Sequence, residues 1–336
     1  MVTAPMNPIL LSFFKSGWRS ARTLAFAIAI VDSLNSQPTI SDDIAKAAML
    51  NDKGRFAEAI RVVEPLLASK KPTLDDGRIP TIWNLRGVAL QGLGDSENAR
   101  RSYELSIHLL RGNAQRRDEL AKVFDNFGSL KAMVGQLEES ESLRLHAIKL
   151  YRSTNNHAGA ARTYANLALL AVALRKKKDA WSFIREAARE ESMIPQEGLL
   201  DLASIESARA LVNEMKGHHT DAMIAIDRAI ELWSKESGPA SYPVGICYAL
   251  RGEIYRNQHV FTRALDDLRH SLAILRENGE DGSREYAVDE MVFGKLLRAA
   301  GMAAQARQAE SDAQMRLNQL GLSKCSQCAI SAESFR

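Results

Sequence analysis

At 336 residues the chain has room for two ordinary domains or one long repeat array. Hydrophobic residues make up 46%, enough to build a core and too many for wholesale disorder. The 44 basic residues are nearly balanced by 41 acidic ones, and the net charge of +3 argues against a dedicated nucleic-acid binder. Ala, Leu, Arg and Glu dominate, aromatic residues are 6%, and alternating Val/Ile/Thr runs are few, so the predicted elements are helices.

Residues 1–39 read as an N-terminal capping or targeting segment. No acid occurs before Asp32, while Lys15, Arg19 and Arg22 precede the mostly apolar run Thr23-Leu24-Ala25-Phe26-Ala27-Ile28-Ala29-Ile30-Val31. That run is far short of the ~20 residues that span a bilayer. It fits a helix covering the first repeat, the apolar region of an export signal, or membrane-surface contact through residues 9–31. The expected compartment is the cytoplasm, with export or membrane association as the alternative.

From residue 40 a helix-turn-helix unit recurs seven times. The expected repeats lie near 40–72, 80–112, 117–153, 157–192, 199–236, 243–277 and 285–322. A small residue marks each first helix: Ala47, Gly87, Gly128, Ala168, Ala210, Gly252 and Gly294, spaced 40, 41, 40, 42, 42 and 42 residues apart. Twelve residues after each comes a second small residue: Ala59, Ala99, Ser140, Ala180, Ala222, Ala264 and Ala306. Trp83, Phe124, Tyr164 and Tyr248, four residues before the small position, are expected to supply the bulk that the small residues receive.

The turn between the paired helices repeats too, with Gly54, Gly94, Gly135, Gly217 and Gly301 at one position. Glycine closes helices there because it accepts the left-handed conformation without a clash. Arg175 and His259 hold the same place in the other two repeats, which predicts slight strain. In the first, fifth and seventh repeats Asp43, Glu206 and Glu290 stand at or near the bulky position, and Arg86, Arg209 and Arg251 sit where leucine is usual. Asp267 should face Arg251 from the second helix, giving a structural ion pair. Residues 323–336 are a short tail in which Cys325 and Cys328 form a lone CxxC. No second pair or histidine supplies the four ligands of a zinc site, so a reduced, functionless pair competes with redox or metal chemistry.

This pattern resembles the tetratricopeptide motif, W-x2-L-G-x2-Y followed by G-x-Y-x-x-A, in its forty-odd-residue form, as in kinesin light chains and spindle-orientation adaptors. The resemblance covers about residues 40–322. It implies an all-α solenoid of about seven helix pairs in a right-handed superhelix, its concave wall lined by each first helix. In the related adaptors, asparagines and arginines on that wall hold acidic or extended peptides.

Two adjacent first helices carry a matched feature. Lys122 and Asn126 are four residues apart, and so are Arg162 and Asn166, which places each pair on one helical face. Cations suit carboxylates and amides suit an extended backbone. Asn84, Ser129, Glu253, Arg256, Lys295 and Arg298 share the groove by phase, and Val88, Leu169 and Leu211 are expected to add apolar area. The implied function is a scaffold that binds an extended or acidic peptide of a partner protein. The alternative is a spacer or oligomerisation platform without a groove ligand. No catalytic motif or cofactor signature occurs in the sequence, the histidines are scattered, and His218-His219 reads as a solvated turn. Arg175-Lys176-Lys177-Lys178 replaces a turn and lacks interleaved aromatics, so neither nucleic acid nor a small-molecule substrate is expected.

Overall fold

The computed structural model describes residues 39–68, 77–194, 202–279 and 281–320. The expectations for the N-terminal segment and for Cys325 and Cys328 lie outside these residues. Among them are fourteen α-helices and a single 3-10 turn, Ala114–Arg116. In chain order the helices are α1 (Ile40–Asp52), α2 (Phe56–Ala68), α3 (Ile79–Gly92), α4 (Ser96–Leu110), α5 (Arg117–Met133), α6 (Leu137–Ser153) and α7 (His157–Ala173). They continue with α8 (Lys177–Glu191), α9 (Leu202–Lys216), α10 (His219–Ser237), α11 (Tyr242–Asn257), α12 (Phe261–Glu277), α13 (Arg284–Ala299) and α14 (Ala303–Gln319). Odd and even helices form seven antiparallel pairs, an all-α solenoid of the tetratricopeptide type.

The chain divides into two compact units, residues 1–42 and 43–336. In the first, the described residues form a cap: Asp42 accepts from the Thr39 N–H and hydroxyl at 2.9 and 2.8 Å and donates its own N–H to Thr39 Oγ1 at 3.2 Å. The second holds the array.

The turn within each pair is closed the same way. The residue after the recurring turn position donates its N–H back across the helix end, from Arg55 to Leu50 at 2.8 Å, Asp95 to Leu90 at 2.9 Å and Lys176 to Ala171 at 2.9 Å. Each turn position has positive φ, including +56° at Arg175 and +61° at His259. These two side chains therefore occupy a conformation that costs an L residue about 1 kcal/mol.

The small residues of the first helices do receive bulk, but not from the aromatic four residues earlier. An added Cβ at Gly87 would lie 2.6 Å from the Tyr103 ring, at Gly128 3.0 Å from Arg144 Cγ, at Gly252 3.2 Å from Leu268 Cγ, and at Gly294 2.7 Å from Glu310 Cγ. The filling comes from the second helix of the same pair, because side chains on that helix point into the gap that the small residue leaves. Successive pairs share continuous cores; one runs from Ile148 through Tyr164, Leu167 and Ile184 to Ile205 and Leu211. Leu211, expected on the groove, is 2% exposed and belongs to this core. Cys247 is buried, as its place in a helix pair predicts.

The second unit also contacts itself across the length of the array. The Phe56 and Tyr242 rings meet edge-on with centroids 5.8 Å apart. A Cβ at Gly54 would lie 2.8–2.9 Å from three Tyr242 atoms, and one at Gly94 would lie 2.9 Å from Leu320 Cδ2. The turns of the first two pairs thus rest against the start of α11 and the end of α14.

Candidate functional site

The matched residues come together on α3, α5 and α7, the first helices of pairs two to four. Lys122 is exposed at one end, and Asn126 follows one turn later on α5. The Asn126 amide donates to Asn84 Oδ1 on α3 at 3.0 Å. On α7 the Asn166 amide donates to both oxygens of Asp125, each at 3.2 Å. A ladder of polar side chains therefore links three repeats, each rung spanning one repeat.

Asp125 is the hub of this ladder, and the sequence pattern did not single it out. Its side chain is 6% exposed and faces Arg144 Nε at 3.5 Å and Arg162 Nε at 4.0 Å. Arg144 comes from α6, and burial pulls its guanidinium below the usual value while Asp125 opposes that shift. It also donates to Ser140 Oγ at 2.7 Å and to Ser129 Oγ at 3.0 Å. Ser129 is therefore turned towards the buried guanidinium. Three cations surround the ladder: one buried beneath it, and Lys122 and Arg162 on its outer side. Such a network orients the outer groups through its shared hydrogen bonds, with Arg144 Nε buried and held to Asp125 by charge alone.

An acid from the first pair also bears on this wall. Burial raises the Asp52 carboxyl, and the charges of Lys122 and Arg162 hold it down. Tyr151 OH lies 3.5 Å from Arg162 Nη2, and burial pushes that phenol well above its ordinary range.

The other groove candidates lie apart from this cluster. Glu253 on α11 is buried, accepts from Arg256 Nε at 3.1 Å through Oε2, and leaves Oε1 buried without a partner. Burial pushes its carboxyl up to about 7 against the charges of Arg256 and Lys295. Lys295 on α13 is exposed, as is Arg298. Arg298 turns to Glu310 on α14, with Nε–Oε1 at 3.0 Å, so its guanidinium is engaged by the second helix of its pair. Arg256 also donates to Asn257 at 2.9 Å. Val88 and Leu169 are partly buried against the cores beneath them.

Among the described residues no group of three or more His, Cys, Asp or Glu is placed to hold a metal ion. His219 Nδ1 lies 2.9 Å from Glu214 Oε2, a contact within one turn. Among the described residues no helix is long and apolar enough to cross a membrane.

No family profile matches the sequence, and no curated protein matches it. Solved structures do match. A Rap conjugation gene regulator of the plasmid pLS20, in complex with a Phr peptide, has a TM-score of 0.64 at 14% identity, over 84% of this chain and 74% of that one. A Rap protein complexed with Competence and Sporulation Factor has a TM-score of 0.58 at 12% identity, over 84% and 77%. A chain of the APC/C hetero-tetramer Cut9–Hcn1 has a TM-score of 0.56 at 14% identity, over 83% of this chain and 48% of that chain. At these identities the likeness is one of fold.

Proposed function

We propose that the protein is an interaction module whose α3–α5–α7 wall takes an extended, acidic segment of a partner protein. The observation that carries this reading is the ladder itself: Lys122 and Arg162 stand one repeat apart with Asn126 and Asn166 beside them. Asp125 only accepts hydrogen bonds when ionised, so Asn166 must turn its NH2 inward and offer its carbonyl oxygen outward. The wall then offers two cations to carboxylates and an amide oxygen to the N–H groups of an extended chain, the pairing that such a segment requires. Two solenoids of similar fold carry a peptide or a factor in their complexes, which makes a peptide a natural class of ligand for this architecture. The fold hosts many functions, so the residues and not the likeness carry the proposal.

The test compares wild type with the quadruple variant Lys122→Ala, Asn126→Ala, Arg162→Ala, Asn166→Ala, after circular dichroism shows equal helicity. Affinity capture from native extract is followed by anisotropy titration with acidic, neutral and basic fragments of whatever is captured. Loss of one partner in the variant, with salt-sensitive binding of its acidic fragment to wild type, supports the reading. Identical partners on both forms would return the array to the role of spacer or assembly platform.

A further inference from the structure

We propose that the acidic segment lies on the α3–α5–α7 wall as a polyproline II chain with two acids three residues apart. Its conformation and period rest on the proposed function, which supplies the acidic segment itself. The polar groups of the wall repeat from helix to helix. Asn126 donates its amide back to Asn84 on α3, and Asn166 donates back to Asp125 on α5. Both asparagines are half-buried, and each NH2 is turned to the preceding repeat. Their side-chain carbonyl oxygens are thus left as acceptors one repeat apart. Lys122 and Arg162 precede them by one helical turn, about 6 Å along the axis. An acidic side chain spans that offset when its backbone is held at the asparagine.

The step between repeats selects the conformation. Cα atoms of α3 and α5, and of α5 and α7, come within 8 Å of each other, and helices in contact have axes about 8–10 Å apart. A polyproline II chain has three residues per turn and rises about 3.1 Å per residue. Its residues i and i+3 therefore face one way, about 9 Å apart. A β-strand presents one face every second residue, at about 7 Å and 13 Å, and misses the step on both sides. An α-helix meets the step after seven residues, at about 10.5 Å. Its N–H groups are bonded within the helix, however, and would leave both asparagine oxygens unpaired. Polyproline II has no internal hydrogen bonds, so its N–H groups are available to these oxygens. The array of cations also has ends. Thr81 of α3 and Ser204 of α9 take the places of Lys122 and Arg162, and Ala208 stands where the asparagines do. The wall matches two acids and no third.

Anisotropy titration with synthetic peptides of equal length and charge tests the period. One carries two glutamates three residues apart with prolines between them, so that only the glutamates keep N–H groups there. The others space the glutamates two or four residues apart, or seven apart in an alanine-rich helix. The first should bind wild type at least about tenfold more tightly than the rest, because it alone satisfies both cations and both amide oxygens. N-methylation of its two glutamates should cost about tenfold, and a third glutamate three residues further on should gain less than about twofold. Lys122→Ala, at an exposed position and checked by circular dichroism, should erase the difference between one glutamate and two. Equal affinity at all spacings, or a preference for two or four, would overturn the polyproline II chain. Binding that is nonetheless lost in the quadruple variant would keep the groove. Preference for the seven-residue spacing, indifferent to N-methylation, would make the ligand a helix. If none of the peptides binds wild type, the acidic groove and its period fall together.

Discussion

Arg251 and Asp267 face each other across the sixth helix pair, with Nε–Oδ2 and Nη2–Oδ1 both at 2.8 Å. The guanidinium replaces the leucine usual at its position and reaches a second acid, Asp227 Oδ1, at 2.7 Å. Both acids hold its pKa well above the ordinary value, so it stays charged. An arginine is thereby accommodated inside a helix pair because its bidentate partner is nearly as buried as the pair's core.

Removing one partner should cost far more than removing both. Arg251→Leu leaves Asp267, 8% exposed, without its counter-charge and should destabilise the protein by about 3 kcal/mol. The double variant Arg251→Leu, Asp267→Leu should recover most of that loss. Urea denaturation followed by circular dichroism checks this; equal losses in the single and double variants would mean that the pair does not compensate a buried charge.

Glu253 should make stability depend on pH. Burial raises its pKa in the folded protein to about 7, from 4.5 for an ordinary glutamate. Below pH 4.5 both folded and unfolded forms are protonated and the full stability is present. As pH rises through about 7 the unfolded form has released its proton first, and stability falls. Glu253→Gln should abolish this fall and be more stable than wild type at pH 8, by on the order of 2 to 3 kcal/mol. Thermal melts at pH 4.5 and pH 8 measure it, and a wild type with the same pH dependence as the variant would contradict the assignment.

Where the small position of a first helix is glycine, it should be intolerant of a single methyl. Gly87→Ala drives a Cβ to 2.6 Å from the Tyr103 ring, which is fully buried, and overpacking of this kind costs about 1–3 kcal/mol. Gly282→Ala meets nothing within 4 Å and should change stability by less than about 0.5 kcal/mol. Matched denaturation curves for the two variants separate packing from any general effect of losing a glycine.

The turns give opposite predictions at equivalent places. Gly135 has φ of +82° and open space around it, so Gly135→Ala should cost about 1 kcal/mol from backbone strain alone. Arg175 already bears that strain, and Arg175→Gly should gain a few tenths of a kcal/mol after the entropy cost of glycine. Melting temperatures moving in opposite directions would confirm that backbone conformation, and not the side chain, decides these sites.

The sequence by itself determined the repeat. Small residues at a spacing of about 41, and a turn residue at a constant offset, are local requirements of helix packing and of left-handed backbone, so each repeat states them again in its own residues. Lys122, Asn126, Arg162 and Asn166 were legible for the same reason, since helical period fixes which side chains share a face. Even the Arg251–Asp267 pair followed from phase within one repeat. Tertiary structure decided the rest. Tyr103 and Arg144 fill positions 87 and 128 because side chains of the second helix reach the gap first. Asp125 became the hub because Arg144 from one side and Asn166 from the next repeat both converge on it, the latter 41 residues away. The seam between Phe56 and Tyr242 depends on the accumulated rotation of every repeat between them, and no local pattern encodes a sum of small angles.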